Sequence, residues 1–295
     1  MSMLSRREAI AGALFLAPSY LLFILFLALP LVAALALSVL DLDRLTLSVE
    51  YVGFENFEWV LTDPRFWITF KNTFLFISMA VIGNVGFGLG LAVLLNQKFP
   101  NVILYFLRLA YFLPVLTSLA FVSFIWKFLF ATDLGVINYF VNQLGFEDVG
   151  WLSNAKISMF SIVLIDVWKN VGFFIIILLA ALQGVPRNLI EASQIDGASP
   201  RTILWRIQIP YIAPVLLFCV TFATIGGLQV FDSIRILTNG GPGDATRSVV
   251  MYMFAEAFGA GRSGTGAASA LVLLTVISLV VAAQFTVARY VMPRK

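Results

Sequence analysis

Six apolar runs, each long enough to cross a lipid bilayer as a helix, limit this chain to one broad kind of fold. They fall at about residues 11–40, 73–95, 109–130, 158–182, 211–234 and 266–288. A helix needs roughly 20 apolar residues to span a hydrocarbon core of about 30 Å. Over the 295 residues, 60% hydrophobic content and 12% charge leave more apolar side chains than a soluble core could hide. The expected fold is therefore an all-α integral membrane protein with six transmembrane helices, which puts both termini on one side.

The distribution of charge orients those helices. Arg6, Arg7, Lys98, Arg108, Arg187, Arg201, Arg206, Arg289, Arg294 and Lys295 lie in the N-terminus, the second and fourth loops and the C-terminus. Their density is about twofold that of the opposite loops, so the positive-inside rule places both termini in the cytoplasm. A twin-arginine or secretory signal beginning at Ser5-Arg-Arg is disfavoured, because the apolar run from Ala9 to Leu40 is too long for one. An uncleaved first span is expected.

Several function classes are excluded or unsupported. Histidine is absent and Cys219 is the single cysteine, which leaves no basis for a disulfide framework, a zinc site or a histidine triad. Cys219 reads as a small packing residue within a span. No lysine follows a glycine, so there is no phosphate loop, and any ATP used must be hydrolysed by another chain. No cofactor, metal or nucleic-acid partner is expected.

Along the chain, an outside segment from Tyr51 to Trp67 alternates aromatic and acidic residues, a composition suited to lipid headgroups. In the second span, Gly86 and Gly90 form a small-residue pair expected to admit a neighbouring helix, with a bend near a permeation path as the alternative. Lys127 is near enough to the outer interface to snorkel. The loop after it, through Asn138 and Trp151, suits a short interfacial helix. Residues 237–246 are rich in Gly and Pro and read as turns.

The fourth span carries Asp166, Lys169 and Asn170 in an otherwise apolar helix. A charge in the bilayer costs about 2.5–3.5 kcal/mol on the permissive insertion scale. Asp166 and Lys169 are three residues apart and can pair on a helix. Two readings stay open: a self-neutralised structural pair, or the wall of a polar translocation path. Asn170 and Phe173 continue the same face. The fifth span contributes Thr224, Gly227, Gln229 and Asp232 to the same candidate path, its paired glycines reading either as backbone exposed for binding near the midplane or as a kink for packing alone. Weak internal symmetry counts against secondary-transporter folds built on inverted repeats.

Between the fourth and fifth spans, Pro186 ends one helix and Asn188 or a neighbour can cap a short one containing Glu191, Ala192 and Ser193. Gly197 permits a reversal, Pro200 opens a second short helix, and Pro210 is expected to separate that helix from the fifth span. The product is a cytoplasmic helix-turn-helix able to dock in a groove on another protein.

The run Glu191-Ala-Ser-x-x-Asp-Gly-Ala, followed by Ile209-Pro210, resembles the EAA loop of ABC importer permeases, and Gly197 stands where that family's glycine stands. Ser193 departs from the usual alanine. Val52-Gly-Phe-Glu-Asn-Phe, Trp126-Lys127, Asp166-Val-Trp-Lys169 with Leu182-Gln-Gly-Val-Pro186, and Phe231-Asp232 with Leu237-Thr-Asn-Gly-Gly-Pro242 extend the likeness to the maltose- and glycerol-phosphate-type permeases. The resemblance implies a permease for a carbohydrate or related polyol. It also implies a second homologous permease subunit, two copies of an ATP-binding cassette ATPase and an extracytoplasmic solute-binding protein, all at the bacterial inner membrane in contact with lipid. Glu191, Ala192, Ser193, Asp196 and Gly197 would form the ATPase-coupling surface. Residues 1–68 would be an N-terminal span with a periplasmic segment, 69–289 the importer transmembrane domain and 290–295 a cytoplasmic tail. The competing reading is an ion-coupled secondary carrier that uses Asp166 and Lys169, which leaves the loop unexplained. An intramembrane enzyme lacks a converging acid, base and nucleophile.

Overall fold

The computed structural model describes residues 6–42, 48–97 and 100–291. Ser5, Asp43, Lys98, Arg294 and Lys295 lie outside them. The chain divides into two compact units: Met1–Asp63 with Met253–Val272, and Pro64–Tyr252 with Leu273–Lys295.

In the first unit, helix α1 covers Ile10–Leu37, none of its most apolar window being buried. A π-helical turn at Ile24–Ala28 precedes Pro30. Strands β1 (Leu40–Leu42) and β2 (Val49–Tyr51) then form an antiparallel pair with Leu40 opposite Tyr51. Helix α2 (Glu55–Thr62) is tied to the strands by Asn56, whose Nδ2 donates to the Ser38 and Leu40 carbonyls at 3.1 and 3.0 Å. In the same unit Arg262 pairs with buried Glu256 and lies 4.8 Å from the Trp59 ring.

The second unit is helical throughout its spans. Helix α3 covers Pro64–Leu95, beginning nine residues before the apolar run because the amphipathic segment at 64–71 continues the same helix. Helix α4 (Asn101–Leu116) and helix α5 (Leu119–Leu129) meet at a 101° bend. The third apolar run is thus a bent pair of helices and not one continuous helix. Thr117 and Ser118 are both extended, and the Thr117 hydroxyl donates to the Pro114 carbonyl at 2.6 Å, closing α4. Helix α6 (Val136–Gln143) is the short helix expected in the next loop. Buried Asn138 organises that loop, donating to the Thr132 and Val149 carbonyls and accepting from the Trp151 indole at 2.9 Å.

Helix α7 (Ser158–Gln183) packs against α3, α4 and the fifth span. Glycine sets these approaches, though not at the expected pair. Gly86 and Gly90 have open space around them, whereas a Cβ on Gly83 would strike Val167 and one on Gly88 would lie 2.9 Å from Phe174. A Cβ on Gly172 would overlap the Tyr111 carbonyl of α4.

Helix α8 (Arg187–Ile195) follows, and helix α9 runs unbroken over Pro200–Leu228. Pro210 therefore does not separate a short helix from the fifth span. A π-helical turn at Leu204–Gln208 lies just before it, and such a wide turn accommodates a proline ring and its missing donor without ending the helix. Helices α10 (Asp232–Leu237), α11 (Val249–Gly259) and α12 (Ser263–Val291) complete the chain. The described residues thus hold five helices long and apolar enough to cross a membrane, or six with the α4–α5 pair taken as one broken span.

Candidate functional site

A cavity of about 420 Å³ opens among α3, α4, α7 and α9 in the second unit. Asp166, Asn170, Phe173, Gly227, Gln229 and Asp232, six of the eight residues expected along a polar path, line it. Asp166 is held by two amides: Asn84 Nδ2 donates to its Oδ2 at 3.0 Å and Asn170 Nδ2 to its Oδ1 at 2.9 Å. Lys169 makes no direct ion pair with it, although the two opposite charges still act on one another. The lysine is buried outside the lining, its Nζ 3.5 Å from the Asn170 Oδ1. The i,i+3 spacing allows a pair, but two amide donors already occupy the carboxylate.

Thr224 also departs from expectation. It faces α12, donating to the Val220 carbonyl at 2.7 Å and accepting from Gln284 Nε2 at 2.9 Å, so it fastens two helices instead of lining the cavity. The paired glycines divide their work: a Cβ on Gly227 would press on Ile77 at 3.1 Å, while Gly226 faces open space. Phe222 and Phe174, not foreseen from sequence, join Phe173 in an aromatic wall; the Phe173 and Phe222 rings lie 5.0 Å apart. Asn84 is a further lining residue that sequence reasoning does not reach, although an asparagine isolated in an apolar run is a visible signal. It is 3% exposed, and its Oδ1 has no hydrogen-bond partner.

The cytoplasmic-type loop is built as expected in outline. Glu191, Ala192 and Ser193 sit on α8, with Glu191 and Ala192 exposed. Neither Asn188 nor any other side chain caps this helix; extended Pro186 simply precedes it. The Ser193 hydroxyl is spent on the Leu189 carbonyl at 2.6 Å. Asp196 ends the helix, and Gly197 turns the chain at φ 78°, a left-handed conformation that suits glycine. Ser199 then caps α9 through the Thr202 amide at 3.3 Å. Ile195, 87% exposed, and Leu189 give α8 an apolar exposure that sequence reading did not pick out.

A multi-pass helical protein with a polar cavity among its spans and a helix-turn-helix projecting between two of them has the architecture of a solute permease. The chain belongs to the family of binding-protein-dependent transport system inner membrane components, whose model matches residues 84–294. It is 32% identical over 283 residues to the sulfoquinovosyl glycerol transport system permease protein SmoG of Agrobacterium fabrum, covering 96% of this chain and 91% of that one. It is 34% identical over 270 residues to the osmoprotective compounds uptake permease protein GgtC of Synechocystis, covering 90% and 94%. A bacterial ABC transporter involved in import of the acidic polysaccharide alginate superposes with a TM-score of 0.86 at 20% identity, covering 98% of both chains. The chain is thus a multi-pass inner-membrane transport component, and the ion-coupled carrier reading falls away.

Proposed function

We propose that this chain is one of two permease subunits of an ATP-driven importer, passing a carbohydrate or polyol from an external binding protein through the cavity at Asp166 and Asn170. The cavity carries this reading. An aspartate within a span costs about 2.5–3.5 kcal/mol, and interhelical hydrogen bonds in membranes average about 0.6 kcal/mol each. Asn84 supplies one such bond, Asn170 adds a second within α7 and the Lys169 charge also acts on the carboxylate, yet Asp166 still lines the cavity, where a purely structural acid has no reason to be. Two carboxylates, three amides and an aromatic wall suit a sugar, which offers hydroxyls on its edges and C–H groups on its faces. The sulfoquinovosyl glycerol that names the SmoG system supports the solute class.

The loop from Glu191 to Gly197 would receive the ATPase: small residues permit close approach, while Leu189 and Ile195 supply apolar area. Residues 1–68, 69–289 and 290–295 would serve as anchor with periplasmic segment, translocating domain and tail, with both termini in the cytoplasm. ATP hydrolysis resides in a separate subunit. Isolation of the chain from its native membrane tests this reading: an ATP-binding cassette protein should accompany it and hydrolyse ATP faster when solute-loaded binding protein is added. A complex lacking any ATPase would refute it.

A further inference from the structure

We infer that the cavity selects a neutral, hydroxyl-bearing solute and disfavours sugars that carry a carboxylate or sulfonate. The inference rests on the proposed path through this cavity and adds the charge class of the solute. Its first support is the buried Asn84 Oδ1, an acceptor without a donor in a residue that lines the cavity. The amide nitrogen of Asn84 is committed to Asp166, which fixes which end of the side chain is left over.

A second support is the tally of donors and acceptors. Asn170 also spends an N–H on Asp166, so two of the three lining amides direct donor capacity at the protein's own carboxylate, Gln229 being the third. Asp166 and Asp232 contribute acidic groups to the lining, and among the described residues neither lysine nor arginine contributes to it. Lys169, the cation on α7, is buried outside the lining. Hydroxyl groups donate as well as accept and can satisfy such a surface. A carboxylate or sulfonate only accepts, and would meet acceptors and like charge along this lining. The apolar remainder, with Phe173 and Phe222, suits the C–H faces of a neutral ring.

The test uses the complete importer in proteoliposomes, with Cys219→Ala removing the native thiol and Gly226→Cys placing a new one. Gly226 lines the cavity, and a Cβ there meets nothing within 4 Å. Labelling by N-ethylmaleimide is followed with glucose, maltose and maltotriose, and with glucuronate, digalacturonate and trigalacturonate. A neutral sugar should protect at a concentration at least about tenfold below its acidic counterpart. Asp166→Asn, which keeps the side-chain shape, should narrow that gap. Acidic sugars that protect equally well or better would overturn the inference while leaving the path intact. Absence of protection by every sugar would overturn the path reading and this inference together.

Discussion

Asn84 and Thr224 are both buried polar residues on membrane-spanning helices, yet their partners assign them different work. Asn84 links α3 to α7 through Asp166 and lines the cavity; Thr224 links α9 to α12 and does not. Asn84→Ala should lower thermal stability by about 1 kcal/mol, within the range for interhelical hydrogen bonds, and should reduce solute uptake far more. Thermal unfolding in detergent alongside uptake in proteoliposomes checks both. Gly172 and Gly86 make a second contrast. A Cβ at Gly172 overlaps a backbone carbonyl, so Gly172→Ala should destabilise by about 1–3 kcal/mol, whereas Gly86→Ala should be nearly silent. Sequence alone could identify these residues as polar or small. Which face each occupies depends on how the helices rotate against one another, and that is set by packing across the whole bundle.

At the scale of elements, the apolar runs and the turn at Gly197 were legible because each has a local cause: span length in one case, backbone freedom in the other. The break at Thr117 and Ser118 was not, since both residues are common in membrane helices and Pro114 alone does not fix where a helix stops. The continuity through Pro210 was hidden for the opposite reason. A proline usually ends a helix, but the π-helical turn at Leu204–Gln208 makes room for it, as Ile24–Ala28 does before Pro30. In the proposed coupling loop, Gly197→Val forces a branched side chain into a left-handed conformation at a cost of about 1–2 kcal/mol. Gly197→Asp tolerates the turn better and mainly adds bulk and charge at the proposed docking face. Both should weaken ATPase association, and Glu191→Ala should do so through loss of a charged contact, with membrane insertion unchanged in each. Co-purification of the ATPase from membranes, set against the amount of inserted permease, reads this directly.

For the whole molecule, membership of the transport family agrees with the helical architecture and motivates the proposed passage through the polar cavity. Orientation rests on charge density alone. Thiol labelling of cysteines placed at Asp244 and at Ile195 should find the first accessible from outside and the second from inside; the reverse pattern would reject the orientation. The most direct test of solute passage through the cavity is ATP-driven uptake by proteoliposomes carrying Asn170→Ala, with ATPase association and thermal stability measured on the same preparation. Passage past Asn170 predicts at least about a tenfold loss of uptake, the scale set by a lost hydrogen bond and an unpaired Asp166 oxygen, with the ATPase still bound. Normal uptake by a stable, fully assembled variant would contradict it.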